Sequence, residues 1–189
     1  MRMRSLSLSI ATMVALVGCG NQTQRATTSA PAPTHTPQPY SNLAQMMRGI
    51  PFTFSNIVFD AQSEDPGAAR DPAAVGGGAT ATFKNVYGGW QEVENSALAL
   101  AEASNLIMIP GRLCENGRPV PVDQEAFRKA AEGLAAAGRA AYKAAQSKNL
   151  DAMVEVSETV SEACAKCHEP YRDFDDPKDR CQSAPAAAE

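Results

Sequence analysis

Residues 150–171 read LDAMVEVSETVSEACAKCHEPY, and this segment is the most informative one in the chain. We predict a helix from Leu150 to about Tyr171, because the segment carries no strand signal and follows a short turn at 147–149. The segments that precede it have the length and the apolar spacing of further helices, and they set the fold class.

The first of these segments runs from Tyr40 to Gln62, where apolar residues recur at helical spacing. Ser41 and Asn42 are candidate caps at its start. Pro51 interrupts the segment, and a proline inside a helix removes one hydrogen bond and clashes with the carbonyl four residues back. We therefore predict a helix with a kink at Pro51.

Two more segments complete the set. Asn85 to Ile109 is predicted to be a helix that stops at a Pro-Gly pair, and Asp123 is predicted to cap a helix that runs to Gln146. The inward candidates on the first of them are Val86, Trp90, Val93, Ala97, Leu100, Leu106 and Ile107. Loops are expected at 63–78 and 112–122. The sequence thus predicts an all-α protein, an antiparallel four-helix bundle over residues 40–182.

The composition agrees with helices and excludes several function classes. Aromatic residues make up 6% of the chain, which disfavours a β-sandwich or barrel. Asp and Glu number 21 against 17 Lys and Arg, for a formal net charge of -4. Nucleic-acid-binding domains carry the opposite charge, so we expect no nucleic-acid partner.

Within the last predicted helix, Cys164-Ala165-Lys166-Cys167-His168 has the C-x-x-C-H spacing of c-type haem attachment. Residues three apart share a helix face, so two thiols can reach the two vinyl groups along one porphyrin edge. The histidine that follows is placed to bind the iron. The motif predicts one haem c, covalently attached through Cys164 and Cys167, with His168 as the proximal ligand.

Three other sites compete with this interpretation. A catalytic dithiol usually lies where a strand meets a helix, and no strand is predicted here. A zinc site needs four ligands and would have to recruit Cys114, Cys181 or the poorly aimed His168. A disulfide between Cys164 and Cys167 has poor geometry within a helix. Haem attachment is favoured over all three.

The stretch Cys164 to Arg172, CAKCHEPYR, near the end of the last of four helices, resembles the class II c-type cytochromes, the family of cytochrome c′ and cytochrome c556. The resemblance covers about residues 40–180. It implies a haem c between the helices of an exported electron carrier, often a homodimer. It also implies that Arg172 lies near a haem propionate, while an exposed arginine that favours the helix dipole explains this residue equally well.

The distal side of the iron separates two mechanisms within this family. Members similar to cytochrome c556 place a first-helix methionine there, whereas cytochrome c′ places an apolar residue and leaves the iron five-coordinate. Here the first helix offers Met46 and Met47. We favour Met47 as the distal ligand, because the kink at Pro51 distorts the backbone around it. The alternative is that both methionines fill irregular space in the core.

Other residues are assigned to the pocket or excluded from it. Met153 is excluded, because fifteen residues along one helix place it about 22 Å from His168, and Met108 is a weaker candidate ligand. Together with Arg172, the predicted haem pocket includes Tyr171, Arg48 and Phe52.

The N-terminus is predicted to be a lipoprotein signal peptide, residues 1–18. Two arginines precede an apolar stretch that is too short to span a bilayer. The stretch ends in Leu-Val-Gly-Cys, which resembles the bacterial lipobox and makes Cys19 the predicted lipid anchor. The alternative is ordinary cleavage after Gly18 or Gly20. Either way we expect an exported, periplasmic protein.

The segments that flank the predicted bundle are expected to be disordered. Residues 19–39 are rich in Thr, Ser, Gln, Ala and Pro, which is typical of a tether. With Cys19 lipidated, this tether holds the protein at a membrane. His35 within it is interpreted as a solvated linker residue. The tail, residues 183–189, is also predicted to be disordered.

Cys114 and Cys181 remain after the other cysteines are assigned. In an oxidising compartment we predict a disulfide between them, joining the loop before the third helix to the C-terminal tail. The alternative is a pair of separate surface thiols.

Two function classes follow from these assignments. The favoured one is a one-electron carrier with an unknown redox partner protein, and the alternative is a five-coordinate haem protein that binds or senses nitric oxide or carbon monoxide. An enzyme is not expected, since His168 is assigned to the iron and no second histidine is available as a general acid or base within the predicted bundle.

Overall fold

The computed structural model describes residues 36–69 and 86–182, all of which belong to one structural unit that begins at Thr36. These residues form α1 (Leu43–Gly49), α2 (Pro51–Asp60), α3 (Trp90–Ile107), α4 (Glu125–Ser147) and α5 (Leu150–Tyr171). A 3₁₀ turn at Pro177–Asp179 follows α5. The predicted all-α class is confirmed, since β pairing in the described ranges is limited to an isolated bridge between Leu113 and Pro119.

Four of the helices pack against one another. Helix α2 contacts α3 and α5, and α4 contacts the same two helices, so the four contacts close a ring. No helix in the described part of the chain is both long and apolar enough to cross a membrane. Several predictions fall outside the described residues: the predicted signal peptide at 1–18, the predicted lipid anchor Cys19, His35, most of the predicted tether at 19–39 and the predicted disordered tail at 183–189.

The predicted first helix is two helices, because the chain breaks at Ile50 instead of bending. Ile50 adopts φ −121° and ψ −73°, and Pro51 follows as the first residue of α2. This position suits proline, whose missing N–H is not needed in the first turn. Asn42 caps α1 through a reciprocal pair of hydrogen bonds with Gln45, which confirms one of the two candidate caps.

The boundaries of the later helices differ slightly from those predicted. Asp123 does not cap α4; Gln124 holds the cap position and makes no side-chain capping bond. Val86 is 53% exposed and lies before α3, so it is not an inward residue, and the predicted start at Asn85 lies outside the described residues. Asn149 caps α5, where its Oδ1 accepts hydrogen bonds from the first-turn amides.

The buried residues form two clusters. The central core takes residues from α2, α3, α4 and α5, and it includes Val58, Leu100, Ala141, Met153 and Val160. The end core joins α1 and the α3–α4 loop to the near ends of α4 and α5, with buried residues Met46, Ile107, Cys114, Val120, Phe127, Leu134 and Tyr171. The C-x-x-C-H motif therefore lies where the central core meets the end core.

Helices α3 and α4 approach closely at Gly138. A Cβ on this residue would lie 2.6 Å from the backbone nitrogen of Ala101 and 2.8 Å from the carbonyl oxygen of Ala97. We expect Gly138→Ala to lower the free energy of unfolding by about 1–3 kcal/mol, because the two helices must move apart.

Gly133 in the same helix provides the matched control. A Cβ there meets nothing within 4 Å, so Gly133→Ala should raise the free energy of unfolding by about 0.5–1 kcal/mol through the lower entropy of the unfolded chain. Urea denaturation measures both changes. Changes of the same sign in the two variants would contradict the close approach at Gly138.

The predicted disulfide between Cys114 and Cys181 is confirmed, and the two residues are 67 apart in sequence. The bond joins the α3–α4 loop to the segment after α5. The same segment is held by backbone contacts: the Cys181 amide donates to the Tyr171 carbonyl, and the Asn116 side chain donates to the carbonyls of Pro177 and Arg180. The loop and the segment after α5 therefore form one fixed unit beside the end core.

Candidate functional site

A small apolar cavity lies beside the C-x-x-C-H motif and takes side chains from every helix of the described chain. Its lining residues are Met47 from α1, Pro51 from α2, Ile107 from α3, Ala130, Ala131 and Leu134 from α4, and Ala163, Cys164, Cys167 and His168 from α5. The two thiols and the imidazole named by the motif thus share one cavity with one of the two methionines considered as a distal ligand.

Helix α5 brings the motif to this cavity. Its buried residues, among them Val156, Val160 and Ala163, follow the helical repeat and pack towards the interior. Cys164, Cys167 and His168 continue the same helix, which extends to Tyr171 although Pro170 lies inside it and has no N–H to donate. Cys164 and Cys167 are half-buried and unpaired, as expected for two thiols that a helix holds three residues apart.

Burial sets the protonation of the motif. It raises the pKa of the Cys164 thiol, against an opposing effect of the Arg172 charge. Burial and then the neighbouring Cys164 raise the pKa of Cys167 to about 11, again against Arg172. For His168, burial first and Arg172 second lower the pKa, against Asp173. At neutral pH both thiols are therefore protonated, and the imidazole is neutral, which is the form that binds metals.

The two candidate distal methionines occupy different places. Met47 is half-buried and lines the cavity. Met46 is only 6% exposed and belongs to the end core, and it does not line the cavity. Met108, the weaker candidate, packs against the same end core. The structure therefore brings Met47 to the motif. Pro51, the first residue of α2, lines the same cavity.

Arg172 and Tyr171 end α5 beside the motif. The Arg172 guanidinium is exposed and forms an ion pair with Asp173, with 2.6 Å between Nε and Oδ1. Its charge influences the pKa of all three motif residues. Tyr171 is buried, packs edge-to-face on Phe127 and donates a hydrogen bond from its hydroxyl to Gln124. Neither residue lines the cavity.

Two further predicted pocket residues lie away from the cavity. Phe52 is 64% exposed and makes no part of its lining. Arg48 is also exposed, and its guanidinium pairs with Glu115 at 3.2 Å. Phe52 follows the break at Ile50, as the second residue of α2.

Nothing in the sequence identified the α4 residues that line the cavity as part of a site. Ala130, Ala131 and Leu134 face the motif, and in sequence they are indistinguishable from the small and apolar residues that pack the rest of α4. Arg112 was also missed: it is 4% exposed and lies in the loop that holds α1. Its position after a Pro-Gly helix stop is a usable signal, since the last carbonyls of a helix need donors.

The donor set fits a c-type haem, while the size of the cavity does not yet admit one. Two protonated thiols on one helix face, a neutral imidazole next to them and a thioether from another helix are the groups that such a haem uses. The cavity volume is about 20 Å³, enough for one water. A ring system therefore requires the walls to separate. Ala130, Ala131 and Ala163 offer little bulk to displace, and Leu134 is the one bulky aliphatic side chain that α4 contributes to the lining.

A larger cleft lies elsewhere, where α2 ends and α3 begins. It measures about 580 Å³ and carries the carboxylates of Asp60, Glu64 and Asp65, with no thiol or imidazole in its lining. Of the two, the cavity beside the motif is thus the one that is lined by thiols and an imidazole.

Comparisons with family models, with curated proteins and with solved structures find no match for this chain. The function is therefore argued from the side chains that line the cavity beside the motif.

Proposed function

We propose that the protein is a class II c-type cytochrome that carries single electrons through one covalently attached haem. The observation that supports this most strongly is that Cys164, Cys167, His168 and Met47 line the same cavity. Chance spacing of cysteines would not bring a methionine from a distant helix to the same place. When bound, the haem supplies a one-electron exchange between ferrous and ferric iron.

Each of these residues has a separate role in the proposal. Cys164 and Cys167 hold the group covalently, and their protonated state keeps them as thiols until they react. His168 would offer a neutral imidazole to the iron, and Met47 would offer its thioether. The apolar walls formed by Pro51, Ile107 and Leu134 keep water away from the site.

The finer architecture is part of the proposal. We propose that α2 to α5 form an antiparallel four-helix bundle. The closed ring of helix contacts supports this arrangement, and so does the two-residue connection at Lys148 and Asn149, since short connections favour antiparallel neighbours.

The proposed localisation follows from the N-terminal sequence and from the chemistry. Residues 1–18 act as a signal peptide and Cys19 as the lipid anchor of a periplasmic protein, in which the Cys114–Cys181 disulfide is stable. Mass spectrometry of the mature N-terminus tests this, because an unmodified Cys19 or a different first residue contradicts lipidation.

The optical spectrum of the matured protein, oxidised and reduced, tests the proposed ligands. We expect a low-spin spectrum with a weak far-red sulfur-to-iron band that carbon monoxide does not change. Met47→Ala should abolish that band and open the iron to carbon monoxide, because no other methionine lines the cavity. Met46→Ala is the matched control, since Met46 packs in the end core, and it should keep the band.

Gas binding is the second candidate function. The observation that favours it is that, apart from Met47, the residues that α1 to α3 contribute to the cavity are apolar, Pro51 and Ile107. Without methionine ligation, such a wall would leave an apolar site that suits nitric oxide or carbon monoxide. A high-spin spectrum of the parent protein that shifts with carbon monoxide would favour this function over electron transfer.

A further inference from the structure

Arg112 carries a buried charge whose hydrogen bonds all go to uncharged groups. Its Nη1 donates to the Ser41 carbonyl at 2.7 Å and to the Ser41 hydroxyl at 3.3 Å, and its Nη2 donates to the Leu106 carbonyl at 3.0 Å. Its Nε has no hydrogen-bond partner, and no carboxylate among residues 36–69 and 86–182 forms an ion pair with it. A buried arginine that forms no ion pair with a carboxylate is uncommon. The groups that accept its hydrogen bonds therefore indicate its structural role.

These contacts join the end of α3 to the start of α1. Leu106 lies in the last turn of α3, where carbonyls lack partners within the helix. Ser41 lies two residues before Leu43, the first residue of α1. The neighbouring Leu113 carbonyl accepts a hydrogen bond from the Leu43 amide at 2.8 Å. The guanidinium thus holds the chain two residues before α1, and the Leu113 carbonyl holds the first residue of the helix.

Helix α1 depends on such support, because it has seven residues and ends at the Ile50 break. A helix of this length is not stable by itself in water. The Arg48–Glu115 ion pair is exposed on both sides, and exposed pairs contribute little. The Arg112 contacts to Ser41, together with the Leu43–Leu113 backbone hydrogen bond, therefore attach the start of α1 to the α3–α4 loop.

The loop that carries Arg112 is itself fixed. Cys114 bonds to Cys181, the Cys114 amide donates to the Arg118 carbonyl, and the Arg112 carbonyl accepts from the Val120 amide. Arg112 consequently links α1 to a rigid neighbour and not to a freely moving loop.

We infer that Arg112 is a positioning residue: by fixing the start of α1 it holds Met47 at the cavity that His168 also lines. This inference rests on the proposed function for the role of Met47, whereas the attachment of α1 stands apart from it. Arg112 itself touches neither the cavity nor the motif; it acts through the seven residues of α1.

Hydrogen exchange of the full chain tests the attachment directly. In Arg112→Met, which keeps the length of the side chain and removes its donors, we expect the α1 amides to exchange about tenfold faster or more. The α4 amides should stay within about twofold of the parent, because their contacts are unchanged. Arg139→Met is the matched control, since Arg139 is exposed on α4, and it should leave α1 unchanged.

The spectrum of the haem-loaded protein tests the consequence for Met47. Arg112→Met should weaken or abolish the far-red sulfur-to-iron band while the covalently bound haem remains. Arg112→Lys is the second variant if Arg112→Met does not fold, since lysine keeps the charge and can still reach one carbonyl. It should show a smaller acceleration of amide exchange, again confined to α1.

Two results would overturn the inference: α1 amides that exchange as in the parent, or a similar acceleration in every helix. A full far-red band in a variant whose α1 exchanges faster would also overturn it, since Met47 would then be held by other contacts. A parent chain that takes up no haem would instead refute the proposed function, and the exchange measurement would still decide whether Arg112 fixes α1.

Discussion

The Cys164→Ser, Cys167→Ser double variant is expected to carry no covalently bound haem after expression with a cytochrome maturation system. Serine is close to cysteine in size and shape but offers no sulfur for a thioether bond. Both residues line the cavity and neither is in a disulfide, so no structural cross-link is lost with them. Haem that remains with the unfolded chain, measured by absorbance and by intact mass, is expected to fall from one per chain to none.

Each single variant should retain attachment through one thioether at most, with a correspondingly shifted absorption band in the reduced protein. Ala165→Ser is the matched control, because residue 165 lies between the two cysteines and does not line the cavity. It should keep one covalent haem per chain. Covalent haem on the double variant, at the level of the parent, would refute attachment through this motif.

Removal of the disulfide is expected to have the second largest effect. The Cys114→Ala, Cys181→Ala variant should lose about 2–4 kcal/mol of unfolding free energy, because the bond restricts a long segment of the unfolded chain. Cys114 is 4% exposed within the end core, and alanine avoids placing an unpaired hydroxyl there. Urea unfolding followed by far-ultraviolet circular dichroism measures the change.

The parent protein supplies the control for this variant. A dithiol reductant should lower the stability of the parent towards that of the alanine variant and leave the variant itself unaffected. Equal stability of the parent with and without reductant, with the bond shown by thiol counting to be open, would contradict a stabilising role for this cross-link.

The sequence predicts the helices well where local chemistry decides them. The turn before α5 and the stop after α3 follow from residues that act on their own backbone, such as Asn149 and Pro110. The disulfide is predictable by elimination. The break at Ile50 was predicted only as a kink, because whether a chain bends or restarts at Pro51 depends on how α1 and α2 pack, which local sequence does not show.

The site is predictable in its chemistry and less so in its surroundings. The motif identifies Cys164, Cys167 and His168 by spacing alone. The assignment of Phe52 to a haem pocket stays a prediction. Its side chain is largely exposed, and a hydrophobic side chain beside a helix break can face either way. Arg112 was overlooked, because an arginine in a polar loop is usually exposed. Its place after the Pro-Gly stop signals a bond to the end of α3, but only the fold shows that it also reaches Ser41.

The Cys114–Cys181 bond also closes residues 114–181 into a covalent ring. This ring contains all of α4 and α5, and so includes the whole C-x-x-C-H motif. The turn between these helices, at Lys148 and Asn149, is exposed. A protease cut there would leave both pieces joined through sulfur, so the part of the chain that bears the motif would stay attached to the rest after a break in its backbone.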